Sequence, residues 1–472
     1  MADREREVAP QQAAGAVSGR PRLTRRQLLA MAGGAAVVAG GLYAGLALVE
    51  APRRQPVAPP RAGYPVGQYQ IADYGVRIAS DPSSAVEVIV PPVWNLVITT
   101  RLARRPTQHD QQRLEGALRA VEATYPYSPA GVFALVAYGL SYFRAYVPAQ
   151  VFEEHLPRMA DTGAPVLLDA VRFDSDPPDL LLEADDVVFQ LRADALANLH
   201  DVQHALFGRS GTLAGQPAPH ADIADLFAVT SVRVGFVGAK LPRRMAEQAH
   251  LSVADHIPDA SPLFMGFTST QRLGQATESA VAFEQPPDPL LRPLTTARPG
   301  DYFAGGTSLH LSHLIEDLDG WYAQSYDERA ARMFHRNAVA PEGRVTVQTS
   351  WLNPNTSALD ARDASVVGHN EAVQRGSRSP QGQALQLRVD FNTMDALDTG
   401  SPRPGVHFLA FTAGSQIFHL SRRAMDATDL MGRYGVAASA NGINSFITAT
   451  RRQNFLVPPR RHRALPLIEL KA

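Results

Sequence analysis

From Val93 to Phe207 the apolar residues of this chain change period in a fixed order, and that order limits the folds open to it. Val93–Thr100 (VWNLVITT) is rich in β-branched residues and reads as a strand. Thr107–Tyr125 follows, with Leu114, Leu118 and Val121 recurring at helical spacing. Gly131–Ala137 and Val187–Leu191 read as two more strands, and Ala195–Phe207 as a helix. Strand, helix, strand, strand, helix is the order of a ferredoxin-like half. A further strand is expected at Ser231–Val237. The second part repeats the style, with a strand at Thr307–Leu311, a helix across Ile315–Phe334, strands near Leu385–Phe391 and His407–Phe411, and a helix at Ala424–Tyr434. The expected class is therefore α+β with two similar halves, although no sequence repeat is strong enough to establish duplication by itself.

The N-terminal region reads as an address. Arg25 and Arg26 stand just before an uncharged stretch, Leu28–Val49, rich in Ala, Gly and Leu. A twin-arginine pair ahead of a mildly hydrophobic run is the pattern of the export pathway that carries folded cargo. The same stretch is also long enough for a membrane anchor. Residues 1–51 are thus expected to be a twin-arginine signal peptide or an anchor, and 52–85 a Pro-rich spacer. The remaining divisions are an N-terminal ferredoxin-like half over 86–240, connecting loops over 241–306, and a C-terminal half over 307–460. The expected location is periplasmic, extracellular or membrane-anchored, with the export machinery as a partner and the membrane involved only if the segment is retained.

The 472 residues contain 45 basic and 46 acidic side chains, so no global charge points to nucleic acid. There is no cysteine. Disulfides, zinc–thiolate sites, iron–sulfur clusters and a thiolate-held haem are excluded within the chain.

Five blocks resemble the Dyp-type (dye-decolourising) haem peroxidases, in the order expected for that family. They are Asp179–Gly208, Ala304–Trp321 (AGGTSLHLSHLIEDLDGW), Gln383–Asn392 (QALQLRVDFN), Gly405–Phe411 (GVHFLAF) and Asn454–Arg460 (NFLVPPR). The resemblance implies a duplicated ferredoxin-like fold of the dimeric α/β barrel type, haem b as cofactor, hydrogen peroxide as oxidant and an organic electron donor. It makes His369, in VVGHNEAVQRGSR, the iron ligand. It places Asp429, or its neighbour Asp426, where the family supplies a carboxylate to that histidine's far nitrogen. Arg388 corresponds to the distal arginine that stabilises charge on the departing oxygen.

One departure matters. The family motif Gly-Phe-x-Asp-Gly is here GFTST, Gly266–Thr270, so Ser269 replaces the aspartate that moves a proton. If the segment around Arg388 is a strand, Asp390 shares its face and offers a replacement carboxylate. The proton then falls to Asp390 or Ser269. The resemblance therefore implies an exported peroxidase, or a non-catalytic haem-binding or structural relative of the same fold.

Other motifs carry less. His200 and His204 in HDVQH read as a polar helix face, because the metalloprotease pattern requires Glu where Asp201 stands. His310 and His313 have opposite strand parity, so one is expected beside the pocket and the other at the surface. The arginine pairs in Ser421–Arg423 and Thr450–Asn454 are expected on solvated faces, with haem propionates as the alternative partner.

Overall fold

The computed structural model describes residues 69–71, 77–80, 86–268, 270–284, 292–338, 355–395, 397 and 402–470. Residues 1–51, including Arg25 and Arg26, and Ser269 lie outside the described residues. Among those described, no helix is long and apolar enough to cross a membrane.

The N-terminal half supplies strands β1 (Trp94–Leu102), β2 (Phe133–Gly139), β3 (Val187–Ala193) and β4 (Phe227–Phe236), with helices α1 (Gln108–Thr124) and α2 (Leu196–Phe207). They pair antiparallel in the order β4-β1-β3-β2. The C-terminal half supplies β5 (Thr307–Glu316), β6 (Phe391–Thr393), β7 (Gly405–Thr412) and β8 (Ile447–Val457), ordered β8-β5-β7-β6. Both orders are those of a ferredoxin-like sheet, so the duplication invisible in the sequence is explicit in the topology. The sheets join at two seams, β2 with β8 and β6 with β4, and the eight strands close into one antiparallel barrel. The fold class expected from the sequence is the one observed.

Alternation along each strand divides the core in two. Val97, Leu135, Val188, Leu309, Leu311, Leu409, Phe411 and Phe455 pack together inside the barrel. Their neighbours Leu96, Ile98, Val136, Phe189 and Leu191 pack outward against Leu114, Leu118, Val121, Leu199 and Val202 of α1 and α2. Helix α1 starts at a reciprocal cap: Thr107 Oγ1 accepts from the Asp110 N–H, and the Asp110 carboxylate accepts from the Thr107 N–H at 3.0 Å.

Several boundaries differ from the sequence reading. Strand β5 runs on to Glu316, and the expected single helix over Ile315–Phe334 is two, Leu318–Tyr322 and α3 (Tyr326–Met333). Asp317 and Ser325 each cap a new helix start with a side-chain oxygen, which breaks the run. The C-terminal helical region likewise divides into α5 (Ser415–Asp426) and α6 (Thr428–Tyr434), with Ala427 left-handed between them at φ 48°. Helix α4 (His369–Ser377) packs along α5 on the outer face of the C-terminal sheet.

Candidate functional site

The outer face of the C-terminal sheet and the helices above it collect the residues singled out in the sequence. His369 is the first residue of α4. Its helix end is fixed by Glu371, whose Oε1 accepts from the Gly368 N–H at 2.7 Å. Gly368 can be only glycine, because a Cβ there would lie 2.1 Å from the Phe334 carbonyl oxygen. Gly442 closes the other side: its φ is +54°, and a Cβ would press on the His369 backbone at 3.1 Å. Two glycines thus seat the histidine tightly at its helix start.

Burial, then the charges of Arg388 and Arg422, pushes the His369 imidazole down to about 3. The ring is therefore neutral and carries a lone pair, the state in which histidine binds iron. Its Nδ1 is buried with no hydrogen-bond partner.

Arg388 lies in a short strand, Leu387–Arg388, paired with Phe411 and Ala410 of β7. Leu387 and Phe391 belong to the barrel interior, so Arg388 and Asp390 belong to the outer face. Burial lowers the guanidinium from its ordinary value, and the Asp390 carboxylate partly offsets this. His369 and Arg388 are both partly buried, and the charge of the Arg388 guanidinium acts on the imidazole. The Arg388 N–H donates to Gln275 Oε1 at 2.7 Å, and the Ala276 N–H donates to the Gln386 carbonyl at 2.8 Å. The chain just beyond the GFTST segment is therefore laid along this strand.

The two expected carboxylate partners of His369 are elsewhere. Asp429, in the first turn of α6, is largely exposed and ion-paired with Arg375 at 3.1 Å. Asp426 is buried and bonded to Ser175 at 2.6 Å and to Arg422. Helix α5 ends at Asp426, and the left-handed Ala427 turns α6 away, which accounts for both placements.

The histidines of LHLSH also differ from expectation. His310 lies on the outer face, stacked on Phe418 with ring centroids 3.3 Å apart, and both its nitrogens are bonded, to Asn454 at 2.7 Å and Ser312 at 2.6 Å. His313 is not at the surface but 2% exposed inside the barrel, because a closed sheet leaves β5 no solvated face. Nor are both arginine pairs solvated. Arg452 is 1% exposed and clamped by Asp176 at 2.5 and 2.8 Å, with Arg422 3.8 Å from the same carboxylate. Nothing in the sequence marks Asp176, whose partner lies 276 residues away. His200, partly buried, and His204, exposed, lie in α2 as a polar helix face, and beside them Asp201 accepts from Tyr125 Oη and from the Ala214 N–H, each at 2.7 Å.

A family model described as "Family of unknown function (DUF7405)" matches residues 92–459. No curated protein sequence matches the chain. Among solved structures, the DyP-type peroxidase of Cellulomonas bogoriensis superposes with a TM-score of 0.51 at 18% identity, covering 84% of this chain and all of that one. The encapsulated DyP-type peroxidase of Mycobacterium smegmatis gives 0.47 at 13% identity, covering 83% and 99%. A dye-decolorizing peroxidase of Bacteroides thetaiotaomicron gives 0.47 at 12% identity, covering 80% and 96%. The Cellulomonas likeness shows the fold: this chain has the DyP-type architecture, in a divergent sequence.

Proposed function

Because the chain belongs to DUF7405, a family of unknown function, its activity has to be argued from the site, and we propose that it is an exported haem protein that reduces hydrogen peroxide at the expense of an organic donor. The observation that supports this reading is the neutral imidazole of His369, kept unprotonated by burial and by the charge of Arg388. The donor set fits the group: an unprotonated imidazole on a pinned helix start, in a chain with no thiolate to compete. When bound, a haem supplies the redox-active iron through which electrons pass from donor to peroxide.

The protein's own groups divide the rest of the work. His369 offers a nitrogen lone pair, with its backbone held by Gly368 and Gly442. Arg388 stabilises negative charge on the departing peroxide oxygen. Its guanidinium is held in low dielectric, where such a charge acts with little screening. Asp390, on the same face, takes the proton that the aspartate replaced by Ser269 would have handled. A carboxylate suits that role better than a serine hydroxyl near neutral pH.

A second reading is favoured by one observation. His369 Nδ1 has no carboxylate partner, and such a partner raises the ligand's basicity in high-turnover sites. Without it, a haem could be bound but turn over slowly, and the chain would be a haem-binding relative of the fold. Absorption spectroscopy of the purified protein separates these readings. A Soret band that disappears in His369→Ala, with peroxide-dependent oxidation of a dye, supports the peroxidase. The same band without turnover supports the binding protein. A colourless protein that takes up no added haemin sinks both.

A further inference from the structure

The barrel interior contains a second constellation, unrelated to the outer-face site. Strands β5 and β7 place His313 and His407 directly opposite each other. By alternation with Leu311 and Leu409, both side chains point into the barrel. Asp395 follows β6 and completes the group. One ligand atom from each of the three lies within 4.8 Å of the others. The imidazoles are 4.8 Å apart between centroids. We propose that His313, His407 and Asp395 form a binding site for a single divalent transition-metal ion, with zinc the simplest occupant.

Two imidazoles and one carboxylate are the donors of many zinc and non-haem iron sites, and oxygen-preferring calcium or magnesium would be poorly served by them. The rings are already oriented: His313 Nδ1 is hydrogen-bonded to Thr450 Oγ1 at 2.6 Å, and His407 Nε2 meets Asp395 Oδ2 at 2.5 Å.

A purely structural hydrogen-bond network explains the cluster less well. His407 is 0% exposed, and its Nδ1 has no partner. A buried imidazole left half-satisfied destabilises the fold, and an interior of Leu and Phe would avoid that cost. The surrounding charges also bear on which ion fits. Arg233 and Arg451 are both paired with Glu183, at 2.6 and 3.3 Å. With Asp395 these groups carry no net charge, so an ion would be held by directed nitrogen bonds more than by attraction. That again favours a transition metal.

The test uses the untagged full-length chain, freed of loosely held metal with a chelator and then dialysed against Zn2+. About one tightly held zinc per chain and a higher melting temperature are expected, both lost in Asp395→Asn and both kept in His369→Ala, which removes only the proposed haem ligand. Should Asp395→Asn fail to fold, Thr450→Val unhooks the His313 ring and is expected to weaken zinc binding about tenfold or more. Zinc uptake by the wild type no greater than that of a folded Asp395→Asn or Thr450→Val chain, with no shift in melting temperature, would overturn the proposal.

Discussion

The charge of the Arg388 guanidinium adds to burial in keeping the imidazole of His369, 19 residues before it in the sequence, unprotonated. Arg388→Ala is expected to leave haem content unchanged while peroxide turnover falls ~100-fold or more, the usual effect of removing a group that stabilises developing charge. Asp390→Asn should slow turnover with the same Soret band. Stopped-flow kinetics under peroxide excess measures both. Full activity in Asp390→Asn would remove Asp390 from the proton route and leave Ser269 or water to fill it.

Two acidic residues near this site should behave very differently. Asp176 is buried against Arg452, so Asp176→Ala leaves a guanidinium unpaired in the interior. A loss of about 3–5 kcal/mol is expected, read from denaturant melts. Asp429 pairs with Arg375 near the surface, and Asp429→Ala should cost about 0–1 kcal/mol and leave the haem spectrum unaltered. A shifted Soret band in Asp429→Ala would mean that this carboxylate reaches His369 after all.

The contrast shows what the sequence made legible. Strand β1 was readable because its β-branched residues are local, and the order of elements identified each half. Closure was not readable: the seams rest on two register pairs between β2 and β8 and one between β6 and β4, all long-range. Closure is why neither His310 nor His313 reaches the surface, since only a closed barrel covers both faces of β5. Motif order and strand parity single out His369, Arg388 and Asp390 as the candidates of the outer face. Position along the chain does not show which way a helix turns after a left-handed residue such as Ala427, so Asp429 is expected beside His369 and lies elsewhere. Nothing in the sequence ties His407 to Asp395, 12 residues apart on different elements with no shared period.

Export gives a prediction independent of the fold. Replacing both Arg25 and Arg26 with lysine keeps the charge and removes the pair that a twin-arginine receptor reads. The double variant should accumulate in the cytoplasm, measured by fractionation of cells expressing the full chain. Undiminished export would remove the twin-arginine reading and leave the Leu28–Val49 stretch to be explained as an anchor.

Stability should depend on pH through a carboxyl that the function does not use. Glu316, at the end of β5, is 7% exposed, and its Oε2 has no partner. Burial alone raises it to about 8 from an ordinary value of 4.5. The folded state therefore binds a proton between these values that the unfolded chain does not, and stability falls as pH rises through that window. Below about 4.5 both states are protonated, and above about 8 both are ionised, so this contribution is flat on either side. Each unit of separation corresponds to about 1.4 kcal/mol, so a decline of a few kcal/mol between pH 5 and pH 9 is expected from this group. Glu371, raised to about 8 chiefly by burial, acts in the same direction. Glu316→Gln keeps the shape and the neutral form. It should match the wild type near pH 4.5 and be more stable at pH 9, with the difference opening across the window. Urea melts at several pH values measure it, and parallel curves for the two proteins would show that Glu316 stays ionised in the fold.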